Sequence, residues 1–165
     1  MRKHSRKIRV VPNMASFVRE VSEHGNVGAV VRRTLRLPLL AIMTLAWINK
    51  GNFLKLAKKD FASGVIFLTQ IELLSKPSNQ EYVAIADQVV DLSVALQNKR
   101  LIEGLVGAVR GQGCKPVLVT NNLADLLPFL STTSLKNVWF AYSRDPQGVA
   151  RLLESTRIIP YELVA

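Results

Sequence analysis

Residues 116–142, PVLVTNNLADLLPFLSTTSLKNVWFAY, decide the fold. Pro116 to Thr120 is a short, nearly all-apolar run, the pattern of a strand buried on both faces. Asn121 or Asn122 then offers a side-chain acceptor to the unpaired N–H groups of a helix start, and the helix runs through Leu126 or Leu127. Val138 to Tyr142 (VWFAY) is the next strand. A strand, a helix and a strand in succession form a crossover unit with parallel strands.

On the C-terminal side, Asp145-Pro146 sets a cap before a proline at the first helical position and opens a helix to about Glu154. Ile158 and Ile159 begin a last short strand, which Pro160 confines to an edge. On the N-terminal side, Gly64 to Thr69 (GVIFLT) has the same apolar character as PVLVT and reads as the first clear strand. Ser78-x-x-Glu81 has the form of a capping box. It opens a long helical stretch to about Arg110, with Tyr82, Ile85, Val89, Leu92 and Leu96 at three- and four-residue spacing and a bend near Asn98 to Arg100. Gly111 and Gly113 close it.

In the first third, Lys7 to Val11 reads as a short strand ending at Pro12-Asn13. Residues 14–23 form a helix stopped by His24-Gly25-Asn26, and Ala29 to Arg36 fits either state. Pro38 suits a helix's first turn, so Leu39 to Ile48 is expected as a buried helix, with a strand as the alternative. Phe53 to Lys59 forms another short helix. The sum is an α/β fold: a three-layer sandwich with a mostly parallel, Rossmann-like sheet and an extra helical, basic N-terminal segment. Residues 1–12 are a basic arm leading into the first strand, and 13–165 a single domain.

The 165 residues carry 22 Lys/Arg against 12 Asp/Glu, and a hydrophobic fraction of 48% is enough for a core. Residues 1–60 hold 13 of those cations against Glu20, Glu23 and Asp60, so the whole excess of +10 lies there; residues 61–165 balance. Five cations fall in the first nine residues (Arg2, Lys3, Arg6, Lys7, Arg9), and Arg32, Arg33 and Arg36 follow. A basic arm followed by basic surface is the footprint of a polyanion, because each neutralised phosphate releases counterions. RNA or DNA backbone, or an acidic protein surface, is therefore the expected partner; the alternatives are a solubilising terminus, or a transit peptide, since residues 1–19 are basic and contain no acid. The single cysteine, Cys114, excludes a disulfide scaffold and suits a reducing compartment: the cytoplasm, or an organellar matrix. No apolar run approaches the roughly 18–20 residues that span a bilayer.

Ligands of open parallel sheets bind beyond the strands' carboxyl ends. That rule selects Thr69 with Gln70 and Glu72, then Thr120, Asn121 and Asn122, then Ser143, Arg144 and Asp145. Helix N-termini at Asn121/Asn122 and at Asp145 would favour an anion. The usual catalytic constellations are missing. His4 and His24 stand apart from any nucleophile, Cys114 has no histidine nearby, and no Cys/His cluster has zinc spacing. There is no phosphate-binding glycine loop, and Gly111-Gln112-Gly113 precedes a strand where a dinucleotide fingerprint follows one. Asp87 and Asp91, four apart on a helix, could hold a metal but more often mark a solvated face. No cofactor and no metal are expected.

VLVTNNLADLLPF, with VVPNMASF near the N-terminus, is similar to the ends of PIN-type nuclease domains. That resemblance implies acidic metal ligands after the first strand, on two helices and in a T-N-D motif. Here the first-strand position carries Asn13 or a neighbour, Asn122 stands for the motif's aspartate, and Asp91 or Asp87 matches a helix ligand. GVIFLT followed some 50 residues later by VLVTNN resembles the motif order of haloacid-dehalogenase-like phosphatases. It implies Thr120 as a phosphate-binding threonine, with Leu68, Thr69 and Gln70 where that family's nucleophilic aspartates belong.

The leading expectation is thus a nucleic-acid-associated accessory domain without its own catalysis. It would bind backbone through Arg2, Lys3, Arg6, Lys7, Arg9, Arg32, Arg33 and Arg36. The alternative is a small-molecule or phosphate-ester enzyme at the strand ends. A third is an interaction module, whose mark would be Leu37 to Ile48 lying exposed.

Overall fold

A computed structural model describes residues 8–50, 60–76, 80–142 and 159–161. In chain order the elements are β1 (Arg9–Val11), α1 (Met14–Thr34), α2 (Leu39–Ile48), α3 (Phe61–Ser75), β2 (Tyr82–Ile85), α4 (Asp87–Ala95), α5 (Lys99–Gly111), β3 (Lys115–Thr120), α6 (Leu123–Ser131), β4 (Val138–Tyr142) and β5 (Ile159–Tyr161). The fold is mixed α/β. Strands β1 to β4 are parallel and lie in sequence order, and β5 closes the sheet antiparallel to β4.

Strand alternation divides the sheet's side chains between two faces. Val11, Val83, Ile85, Leu118, Val138 and Phe140 join residues of all six helices in one large core. The right-handed rule for parallel crossovers predicts this, because connections that never reverse direction across the sheet place their helices on the same side. The other face carries Ala84, Val117, Val119 and Ala141, flanked by Ile8, Tyr82 and Trp139, with Trp139 edge-on to Tyr82 at 5.3 Å between ring centres. Pro116 sits in β3 between two parallel neighbours without breaking a ladder. Lys115 donates its N–H to Glu81 of the β2 side, so position 116 faces β4, whose pairing begins only at Val117.

Three expectations change. Gly64 to Thr69 is not a strand but the middle of α3, capped by Asp60, whose carboxylate accepts from the Ser63 N–H at 2.7 Å. The helix packs among α1, α2 and α5 and buries nearly every residue from Ala62 to Thr69. It therefore shows no polar stripe, and without one an apolar run cannot be told from a strand. The long helix from Ser78 to Arg110 is replaced by β2, α4 and α5. Tyr82, Val83 and Ile85 are β-formers, and their spacing to Val89 matched a helix by coincidence. The expected bend is the α4–α5 junction, where Gln97 takes a positive φ of 51° and the Asn98 side chain caps α5 through the Leu101 N–H. Finally, α2 is a helix but not a buried one. Leu45 is fully buried, while Leu39, Leu40, Met43, Trp47 and Ile48 are exposed.

The stop at His24-Gly25-Asn26 appears as a break within α1, with Gly25 at φ 71° and ψ 171°. The chain doubles back there. Arg33 reaches Glu20 at 2.5 Å and Ser16 at 2.8 Å, although 13 residues of straight helix would separate the first pair by about 20 Å. Pro160 lies on the edge strand β5, as expected. Helix α5 comes so close to α3 that a Cβ at Gly104 would stand 2.4 Å from Ile66 Cδ1. The expected helices over 53–59 and 146–154 and the Ser78 cap lie outside the described residues.

Candidate polyanion groove and strand-end carboxylates

The hairpin in α1 positions a groove. Its second limb carries Arg33 and leads to Arg36; its first limb carries Ser16 and Glu20. The end of α3 and strand β1 form the opposite wall. Between them lies a cavity of about 450 Å³ lined by Arg9, Arg33, Arg36 and Lys76, with Glu20 and Glu72 as the only acids among the described residues that line it and Asn13, Ser16 and Ser75 among its neutral polar groups. Among the described lining residues, four cations against two carboxylates leave an excess of two positive charges.

The four cations differ in how they are held. The Arg9 guanidinium donates to the carbonyls of Glu72, at 2.5 Å, in the last turn of α3, and of Lys76, which caps it. A cation there complements the negative end of the helix dipole. Arg33 is clamped by Glu20 and Ser16, and Glu72 in turn accepts from the Asn13 N–H at 2.9 Å. Arg36 and Lys76 make no side-chain hydrogen bond or ion pair among the described residues. They are the groove's uncommitted charges.

The eight cations named from the sequence thus separate. Arg9, Arg33 and Arg36 converge, Arg32 is exposed beside them without lining the cavity, and Arg2, Lys3, Arg6 and Lys7 lie outside the described residues. Lys76 was missed because it follows a segment read as a strand and belongs to the charge-balanced part of the chain. An Asp60 cap and the absence of Pro, Asn and Asp between Phe61 and Ser75 were the available signals for the helix that ends beside it.

At the strand ends, Asp87 and Asp91 share one side of α4 and face the end of β3. Asn121 Nδ2 donates to Asp87 Oδ2 at 2.9 Å and to Asp91 Oδ2 at 3.3 Å; Thr120 Oγ1 donates to Asp91 Oδ1 at 2.6 Å. Thr120 Oγ1 also accepts the Asn122 N–H at 3.0 Å. This pair is therefore not a solvated face: Asp87 is 2% exposed. Its Oδ1 is buried with no hydrogen-bond partner among the described residues. Asn122 caps α6 by accepting from the Asp125 N–H and also binds the Asp125 carboxylate.

The remaining strand-end candidates do not join them. Thr69 lies inside α3 and donates its hydroxyl to the Val65 carbonyl at 2.8 Å; Gln70 and Glu72 follow it on that helix. Ser143, Arg144 and Asp145 lie outside the described residues. With GVIFLT on a helix, the dehalogenase-like motif order loses its first strand. The segments VVPN and VLVTNN do end parallel strands, with β2 between them. Chemically the cluster is acidic, and the side chains of Thr120 and Asn121 are turned onto carboxylates, which disfavours an anion. Among the described residues no group of three His, Cys, Asp or Glu is placed to hold a metal. Compared with protein-family models, curated proteins and solved structures, the chain matches none.

Proposed function

We propose that this chain is a nucleic-acid-associated accessory domain that holds the phosphodiester backbone and performs no catalysis of its own. The observation that carries the reading is the convergence of Arg9, Arg33, Arg36 and Lys76 on one groove, from segments up to 67 residues apart. Arg9 immediately follows the four cations of residues 2–7, so arm and groove form one basic tract in sequence. Groove and arm are suited to neutralising phosphates, and among the described residues no aromatic side chain lines the groove. The same reading keeps a domain over 13–165 in a three-layer, Rossmann-like sandwich, acting in the cytoplasm or an organellar matrix as part of a larger assembly. Val117 and Val119, buried on the sheet face that no described helix covers, support the third layer.

The test is a salt series on single- and double-stranded RNA and DNA. If about four phosphates are neutralised, affinity falls about 50- to 150-fold between roughly 50 and 200 mM salt. Replacing Arg36 and Lys76 by serine should lower the log–log slope by about 1.4 to 1.8. Affinity that is the same at both salt concentrations rejects the proposal.

The alternative enzyme reading is favoured by one feature, the unpartnered Asp87 Oδ1 beside Asp91 and Asn121. A divalent cation taken up there with a phosphate ester would satisfy that oxygen and offset the local negative charge. Calorimetric titration with Mg²⁺ and Mn²⁺, alone and with a nucleotide, tests it; no heat that depends on Asp87 eliminates it.

A further inference from the structure

Helix α2, LLAIMTLAWI, has no charged residue, yet only one side of it is covered. Leu45 is fully buried against the core, and Asn49 ties the helix end to Gln70 of α3 at 2.9 Å. The outer side presents Leu40 at 76%, Met43 at 61% and Trp47 at 85% exposure, with Leu39 beside them and Leu35 in the preceding turn. Its one hydroxyl, on Thr44, is spent on the Leu40 carbonyl. The patch thus offers apolar area with no directional hydrogen bonding, and apolar surface of this kind marks a contact site.

Charge identifies what it meets. From His24 to Lys59 the chain has no acidic residue, and seven Lys/Arg fall in those 36 positions. The exposed stripe sits in the middle of that segment, with Arg36 at one end and Lys50 at the other; Lys50 also borders the shallow hollow formed by Met43, Ala46, Trp47 and Ile48. A second copy would bring two such cationic segments together, and like charges oppose that contact. A folded acidic partner normally adds directional hydrogen bonds, for which this face has no groups. An anionic bilayer surface needs none: it supplies phosphates for the flanking cations and an acyl boundary for Leu40, Met43 and Trp47. Among the described residues no helix is long and apolar enough to cross a membrane, so the contact is with the surface.

The geometry points to α2 as an interfacial anchor that lays its Leu40–Met43–Trp47 stripe into the outer boundary of an anionic phospholipid bilayer. The two readings share Arg36, which also lines the groove, but this one rests on the Leu40–Met43–Trp47 stripe and is assayed on vesicles without nucleic acid.

The experiment is co-sedimentation of the full chain with vesicles of phosphatidylcholine alone and with about 30% phosphatidylglycerol added, at about 100 mM salt. Two variants accompany it: Leu40→Ser/Met43→Ser/Trp47→Ser, and Arg36→Ser/Lys50→Ser. All five side chains are exposed, so circular dichroism should be unchanged in both. The expected result is binding to the anionic vesicles only, weakened at least about tenfold by either variant. Equal binding to both vesicle types, binding unchanged in the apolar variant, or no binding at all overturns the proposal. So does sedimentation equilibrium showing a dimer that the apolar variant converts to monomer, which would assign the stripe to a second copy.

Discussion

Asn121→Ala tests whether the strand-end cluster is held as the hydrogen bonds indicate. The amide makes the only hydrogen bond to the Asp87 carboxylate among the described residues, at 2.9 Å, and a longer one of 3.3 Å to Asp91. A hydrogen bond to a charged group contributes about 1.5–3 kcal/mol. The longer bond adds about 0.5 kcal/mol, since Asp91 keeps Thr120 Oγ1 and the Asn121 backbone N–H. Asp87 is 2% exposed, so alanine leaves a buried carboxylate with neither oxygen paired. Removing one partner of a buried charge in that way costs up to about 3–5 kcal/mol. The expected loss is about 2–4 kcal/mol, read as a lower urea midpoint at neutral pH with an unchanged slope. Its partner experiment is Asn121→Ala in an Asp87→Asn background, where no charge remains to be stranded. There the loss should shrink by about 1–2 kcal/mol, the coupling of the pair. A loss under about 0.5 kcal/mol, or equal losses in both backgrounds, refutes the reasoning.

Three other variants probe the surrounding frame. Asp60→Ala removes the α3 cap and should cost about 1 kcal/mol in denaturant melts near pH 7. The Asp60 carboxyl titrates below its usual value, chiefly because of its hydrogen bonds from Ser63, with Arg100 adding to the effect. A depressed folded-state pKa stabilises above the ordinary carboxylate range and ceases to do so as pH falls through the folded value, so wild type and variant should converge below about pH 4. Leu45→Ala should cost about 2–5 kcal/mol by leaving a cavity under α2, while Met43→Ala on the outer side should change the melting midpoint little. Gly104→Ala should destabilise by about 1–2 kcal/mol through its contact with Ile66. In an Ile66→Ala background the same change should instead stabilise by about 1 kcal/mol, the ordinary helix preference of alanine over glycine.

The strands and caps with local punctuation were legible: Lys7 to Val11 before Pro12, Pro116 to Thr120 before two asparagines, Val138 to Tyr142, and the Gly25 break. Legibility failed where burial erased periodicity. Helix α3 is surrounded by other elements and presents no polar stripe, so GVIFLT carried no sign of its helical state. Tyr82 to Ile85 failed for the opposite reason: a four-residue strand is too short to outweigh a chance helical spacing with its successor. The groove was half legible, because charge can be counted in sequence but its convergence depends on the α1 hairpin. The Asp87–Asn121–Asp91 clasp depended on knowing that β2 intervenes before α4. Only then do the two aspartates stand at a strand end, facing Thr120 and Asn121.

The sequential strand order also bears on how the chain is assembled during synthesis. No strand in β1 to β4 has to be threaded between two that are already paired. By residue 85 the first crossover is complete, and β2 has β1 beside it before β3 has been made. Each later crossover adds at one growing edge, so partly synthesised chains always expose the edge that the next segment will cover. Nascent chains ending after β2 and after β3 should therefore show successive increases in protease resistance, with the early strands protected before the C-terminal segment leaves the ribosome.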